Sequence, residues 1–360
     1  MSPVPPAILR ALSLPLDASK SSLSTSGLGS GFASTGRIRA RVPREGREDE
    51  EEEREYFVKT SPSGQEMFRG EYESLNAIAS TVPGFCPRAL AHGELDNGRG
   101  YFLVTEFLDL SGGRLSSSKT KKANSLAQRL GQLHSTPAPP VTVTEESADG
   151  GSSRQVRKPM FGFPVATYCG DTRQPNRFRE SWAEFFAEER LLTILAESER
   201  RNGRDPALRE LVQRTVDSVV PALLRDGHLG GEKGITPVVV HGDLWSGNAS
   251  TGRIVKPKVG GGGNKDEEDE VGAVVYDPSA CYAHNEYELG IMRMFGGFGK
   301  AFFDEYHAIV PKTEPVEEYN DRVTLYELYH HLNHHAIFGG GYRSGAVSIM
   351  QSLLRKYEKK

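Results

Sequence analysis

The sequence predicts an α+β protein in two lobes. A small strand-rich lobe is expected over residues 1–110 and a larger, mainly helical lobe over 111–360, together one domain. Three observations predict it. Short β-rich runs and a single prominent amphipathic helix fill the first part. The Gly/Ser/Lys stretch "DLSGGRLSSSKTKK" then breaks the pattern, and long helical periodicities follow it. Among those helices lie two apolar strands, "VVV" (from Val238) and "AVVY" (ending at Tyr276), and each runs straight into polar residues.

The elements follow in order. "ILRALS" (residues 8–13) reads as a short amphipathic helix, and "STSGLGSGFASTGRIRA" as a Gly/Ser turn entering a strand. The charged run at 45–55 is too polar to pack and is expected to be a solvated hairpin loop. "YFVKT" (56–60) alternates as a strand does, and "QEMFRGEYESLNAIAS" carries helical periodicity through Met67, Leu75, Ile78 and Ala79. "GRGYFLVTEFL" is a turn followed by a buried strand. Past the linker, "ANSLAQRLGQLHS" is a helix and "TPAPPVTVTEESADGGSSRQ" an extended loop. Two long helices follow, over 176–200 and 207–226. The acidic, Gly-rich insertion 257–270 separates a short strand, "RIVK", from "VGAVVYDPSA", and residues 284–357 are helical.

Composition excludes several classes. The 360 residues suffice for two cores, and 37% hydrophobic with 26% charged residues is the balance of a globular protein. A net charge of −4 argues against a nucleic-acid-binding surface. Cys86, Cys169 and Cys281 are few, scattered and without a C-x-x-C pair, so neither a disulfide framework nor a zinc site is expected. No apolar run approaches the roughly 20 residues of a membrane span. The opening "MSPVPPAILRALSLPL" is broken by prolines and Arg10, so a cytoplasmic location is expected, with organellar targeting left open. Nothing in the sequence asks for a second copy, and a monomer is expected.

The chemistry sits at "VVVHGDLWSGN". Buried strands do not end in His, Asp and Asn without partners, because unpaired polar groups are costly there. The spacing H-x-D-L-x-x-x-N is that of a phosphotransferase catalytic loop. Phosphoryl transfer needs positioned charge, a metal ion and an oriented hydroxyl. Asp243 can accept the hydroxyl proton, and Asn248 can turn its amide oxygen to Mg2+. Asp277, at the end of the next apolar strand, is the second metal candidate; Pro278 and Ser279 follow it. Lys59 on its strand and Glu71 on the next helix form a phosphate-orienting pair, with Glu66 and Glu73 as competitors for the acid. Gly29 and Gly31, in "GLGSGFASTG", can cover phosphates with backbone amides, although the stretch lacks a strict G-x-G-x-x-G.

These residues resemble one family. "HGDLWSGN", "YDPSACYAHNEYELGIMRMFGGF", "MFRGEYESL", "SWAEFFAEERL" and "LYHHLNHHAIFGGGYRS" are similar, in order, to segments of the fructosamine-3-kinases, also called ketosamine-3-kinases. That family lies within the aminoglycoside-phosphotransferase-like group, with its two-lobed protein-kinase-like fold. The resemblance runs from about Gly27 to the C-terminus. It implies ATP- and Mg2+-dependent phosphorylation of the 3-hydroxyl of a ketosamine, free or on protein, whose product breaks down and releases the amine. It implies Asp243 as base, Asn248 and Asp277 as metal ligands, and backbone groups of Glu106, Phe107 and Leu108 for adenine. Phe32 stands where some relatives carry a cysteine in the glycine loop, so a redox-linked dimer is not implied. Trp245, His284, Glu286 and Glu288 are the substrate-contact candidates. His330, His331, His334 and His335 lie among aromatic residues, which points to a packed helix lining the acceptor pocket and not to zinc. A kinase of the same fold acting on another alcohol, such as an aminoglycoside or choline, and a pseudokinase binding module are the alternatives. Metal-dependent hydrolysis by His241 and Asp243 leaves Lys59 unexplained.

Overall fold

The computed structural model describes residues 2–26, 33–44, 47–110, 125–146, 153–255 and 271–358. The chain groups into two units, Met1–Arg129 with Gly247–Pro278, and Leu130–Ser246 with Ser279–Lys360. Elements are numbered along the chain.

The first unit is built on an antiparallel sheet of order β1-β2-β3-β5-β4. Its strands are β1 (Ser21–Ser26), β2 (Ser34–Arg44), β3 (Arg47–Ser61), β4 (Ala89–Glu94) and β5 (Tyr101–Glu106). Two helices accompany the sheet, α1 (Pro6–Ala11) and α2 (Gln65–Thr81). Ile8 and Leu9 of α1 join Ile38, Val58, Phe102 and Val104 in one core. The mild apolarity of the N-terminal segment therefore has a structural reason. Asp96 anchors that segment by accepting from the Ala7 amide at 2.8 Å and from Arg10. β6 (Leu108–Asp109) pairs with β12 (Ala249–Ile254), which pairs in turn with β13 (Gly272–Val275).

The expected solvated loop at 45–55 is not found over residues 47–55, which form the first part of β3. The reason is across the ladder. Glu53 lies opposite Arg41 and Glu55 opposite Arg39. Glu55 pairs with Arg37 and Arg39, Glu50 with Arg44, and Glu51 with Lys20. Opposite charges facing each other make an acidic strand tenable. The insertion 257–270 and most of the linker lie outside the described residues.

The second unit is mainly helical. After α3 (Leu126–Ser135) come the hairpin β7 (Val141–Glu146) with β8 (Ser153–Lys158), then β9 (Thr167–Cys169) with β10 (Thr172–Gln174). The β7–β8 pair replaces the expected extended loop; "VTVT" alternates β-branched residues that suit a ladder. α4 (Trp182–Phe186) runs through a π-helical stretch into α5 (Thr193–Asn202), and α6 (Pro206–Arg214) through another into α7 (Val220–Leu224). The short pair β11 (Val238–Val240) and β14 (Cys281–Ala283) precedes α8 (Glu288–Phe295), α9 (Lys300–Ile309), α10 (Tyr319–Phe338) and α11 (Tyr342–Tyr357). The core centres on buried Trp182, whose indole N–H donates to the Tyr326 hydroxyl at 2.9 Å. All three cysteines are free and buried. Among the described residues, no helix is long and apolar enough to cross a membrane.

Candidate active site

In the first unit, β3 alternates its side chains between two faces. Val58 enters the core, so Lys59 points to the opposite face. There its ammonium donates to the Glu71 carboxylate of α2 at 2.7 Å and to the Asp277 carboxylate at 2.7 Å. Glu71, and neither Glu66 nor Glu73, is the acid that meets Lys59. Burial alone would push the Lys59 pKa down; the two carboxylates outweigh it and raise the pKa. Glu71 is raised by burial, opposed by Lys59 and reinforced by Asp277. The three groups line a cavity of about 310 Å³ whose other walls include Thr35, Phe57, Leu75, Thr105, Leu108 and Tyr276. A largely apolar slot with a lysine ammonium in its wall suits a flat base joined to a phosphate chain.

The connector after β5 is partly committed. The Glu106 amide donates to the Arg88 carbonyl at 3.0 Å, and the Phe107 carbonyl accepts from the Val255 amide at 2.9 Å. The Glu106 carbonyl also accepts from the Thr105 hydroxyl at 2.8 Å, so an adenine at this edge would share that carbonyl or use the backbone groups left at Phe107 and Leu108.

Asn248 and Asp277 bracket the hairpin of β12 and β13. Ala249 lies opposite Val275, and the Tyr276 amide donates to the Asn248 carbonyl at 3.1 Å. Asp277 holds φ +57°, an uncommon conformation for a residue with a side chain and one that clusters at functional sites. A carboxylate and an amide oxygen are the hard donors Mg2+ takes, and Mg2+ keeps waters and substrate phosphates for its other positions. The donor set therefore fits the ion. Among the described residues, no larger cluster of His, Cys, Asp or Glu offers a metal cage.

The second unit holds the loop after β11. Each polar group there has a partner, which is why the strand can end as it does. The buried Glu288 carboxylate accepts from the amides of His241 and Gly242. The His241 carbonyl accepts from the Ser279 amide at 2.8 Å. The Asp243 amide donates to the His241 ring at 3.3 Å, and the Asp243 carbonyl accepts from the Trp245 amide at 3.1 Å. The Cys169 thiol of β9 donates to the Asp243 carboxylate at 3.8 Å. Asp243 itself is half-buried, with its backbone fixed on both sides.

Comparison with known proteins decides what this arrangement belongs to. The sequence profile of the family described as fructosamine kinase matches residues 29–356. The chain belongs to the fructosamine kinase family. It is 34% identical over 308 residues to ketosamine-3-kinase of Mus musculus, covering 82% of this chain and 87% of the relative. It is 32% identical over 301 residues to the chloroplastic protein-ribulosamine 3-kinase of Arabidopsis thaliana, covering 83% and 76%. A Thermobifida fusca protein assigned to the fructosamine-3-kinases has a crystal structure with a TM-score of 0.65, at 22% identity and over 96% and 97% of the two chains. The GDP and kanamycin complex of an aminoglycoside phosphotransferase gives a TM-score of 0.50 at 14% identity, over 97% and 98%. At these identities the structures show the fold, an α+β kinase-like class.

In this fructosamine kinase, the four substrate-contact candidates divide. Trp245 is 40% exposed, with its ring 5.8 Å from that of Phe295. The other three are buried and turned to internal partners. His284 bridges the Tyr326 and Thr313 hydroxyls, and burial lowers its pKa to about 4, so it is neutral. Glu286 is paired with fully buried Arg322 and accepts from the Thr313 amide. Glu288 holds the loop after β11. His284, Glu286 and Glu288 each have internal partners, which a residue read near a helix start in sequence does not reveal. His330 and His335 are likewise buried within α10. Gly29 and Gly31 lie outside the described residues. Cys169 and Ser279 carry no motif, so the sequence does not mark them for this site. A larger cavity of about 630 Å³ lies among α8, α9 and α10, with Phe298, Phe303 and Tyr319 in its walls; neither Asp243 nor Trp245 lines it.

Two outcomes follow for this loop. Gly242 holds φ +80°, and a Cβ there would stand 2.1 Å from the Ser279 carbonyl oxygen. Gly242→Ala is expected to lower stability by about 3 kcal/mol or more and to abolish turnover, read by thermal melting and steady-state rate. Burial would raise the Glu288 carboxyl, but the contact from His134 and the His241 neighbourhood outweigh it and lower its pKa. A carboxyl lowered on folding contributes stability above its unfolded pKa of about 4.3, lost as pH falls through the lower folded value. Glu288→Gln keeps one amide acceptor and sets an N–H against the other. It is expected to cost about 2 kcal/mol and to flatten that acid-side dependence, measured by melting across pH.

Proposed function

We propose that this protein is an ATP-dependent ketosamine 3-kinase. The observation that carries the reading is the Lys59 ammonium held by two carboxylates in the wall of the slot, in a family whose relatives are named for this reaction. Lys59 meets the phosphate chain of ATP, and Glu71 keeps its ammonium aimed. Asn248 and Asp277 hold Mg2+, which when bound neutralises charge on the phosphates. The 3-hydroxyl oxygen of the ketosamine attacks the γ-phosphorus as its proton passes to the Asp243 carboxylate. The bond from the γ-phosphorus to the bridging oxygen breaks, and ADP leaves. Trp245 offers its exposed face to the sugar. A phosphate on C3 is a good leaving group once C1 and C2 enolise, so the product loses phosphate and then, by hydrolysis, the amine. That sequence is deglycation.

The reading takes the chain as one kinase-like domain; Asp243 belongs to the second unit, and Lys59, Glu71, Asn248 and Asp277 to the first. We place the activity in the cytoplasm of a monomeric protein; the chloroplastic names of plant relatives keep an organelle as the alternative. ATP turnover with Mg2+ tests the acceptor class, using fructosyl-lysine, ribulosyl-lysine, kanamycin and choline. Turnover with the ketosamines is expected. Turnover with only kanamycin or choline would replace the substrate, and ATP binding without turnover would leave a binding module.

A further inference from the structure

The second unit carries an aromatic strip that the reaction as described does not use beyond its first ring. Trp245, Phe295 and Phe338 are exposed by 40%, 39% and 64%, and they are the exposed large aromatic side chains among the described residues. Scattered apolar surface residues need no explanation, but a contiguous run of them does. Here the rings connect. Phe295 lies 5.8 Å from Trp245 and 5.1 Å from His334; His334 lies 5.7 Å from Phe338 and 5.1 Å from Tyr342. Phe295 and Phe338 are each the last residue of a helix, followed by Gly296 and Gly339 at φ +66° and +64°. The helices end there, and core packing does not require either ring.

We infer that Trp245, Phe295, His334, Phe338 and Tyr342 form a docking strip for the polypeptide that carries the ketosamine. The inference rests on the proposed kinase reading and deepens it. The strip begins at Trp245, whose amide donates to the Asp243 carbonyl at 3.1 Å, so its first ring and the proposed base share one short loop. From Trp245 to Phe338 its three ring-to-ring steps match at most about five residues of extended chain. A single sugar covers one ring, as Trp245 offers, and leaves the rest to the flanking chain. His334 is equipped for a backbone. Its Nδ1–H donates to the His330 carbonyl at 2.8 Å, which makes Nε2 an acceptor for a peptide N–H. The flat rings suit amide planes and aliphatic stems of any sequence, so the strip would read that a chain is present and little of which chain it is.

The experiment compares a peptide containing ribulosyl-lysine with free ribulosyl-lysine as acceptors for wild type, Phe338→Ala and Tyr342→Ala. Phe338 is so exposed that its loss should leave the melting temperature unchanged, and melting checks this. Each variant is expected to raise KM for the peptide about tenfold, with kcat and the KM of the free adduct moving less than twofold. Equal weakening of both acceptors would make the strip a sugar subsite and overturn the inference, as would no change in either. A concentration-dependent dimer that Phe338→Ala abolishes, with peptide KM unmoved, would make a second copy the occupant. Turnover of neither acceptor by the wild-type protein would overturn the kinase reading and the strip with it.

Discussion

Asp243→Asn is expected to lower kcat by about two to four orders of magnitude while ATP affinity stays within about twofold. Asn has the shape of Asp but cannot take the proton of the attacking hydroxyl. The loop should hold, because its anchors are backbone groups: the His241 and Gly242 amides on Glu288, and the Ser279 amide on His241. ATP affinity should hold because Lys59, Glu71 and the slot walls belong to the first unit. Single-turnover phosphorylation measures the first effect and titration calorimetry the second. Near-normal turnover would remove Asp243 from the role of base.

Lys59→Met is expected to act on the other substrate. It removes the cation between Glu71 and Asp277 and leaves two carboxylates facing each other. The phosphate chain would then meet negative charge. A loss of about 10- to 100-fold in kcat/KM for ATP is expected, the worth of one or two charge-assisted hydrogen bonds. KM for the ketosamine should change little. The Lys59 ammonium should also stay charged across ordinary pH. A lysine raised on folding contributes fully below its unfolded pKa of about 10.4, and that contribution is lost only as pH rises through the higher folded value. Wild-type kinetics in this variant would take Lys59 out of the site.

Much of the site was legible because its parts are short and ordered. "HGDLWSGN" carries its spacing in eight residues, and Lys59 and Glu71 sit on a strand and helix whose periodicities are plain. Asp277 announces itself by ending an apolar strand. What was not legible depended on partners distant in sequence. The acidic run reads as solvated by itself and becomes a strand only beside Arg37, Arg39 and Arg41. Glu286 and Glu288 look alike at a helix start, yet one faces Arg322 and the other two loop amides. Cys169 reaches Asp243 from a short strand 74 positions away, with no motif to mark it. The aromatic strip draws on a loop and the ends of three helices, so no single window of sequence contains it.

The central claim is that this fold transfers phosphate to a ketosamine and thereby frees the amine. Incubating the protein with Mg-ATP and ribulosyl-lysine, and following ADP and free lysine together, tests it most directly. ADP formation that depends on the ketosamine, followed by slower release of lysine, is the predicted result. ADP formed at the same rate without the ketosamine, or a phosphorylated product that never releases lysine, would contradict it.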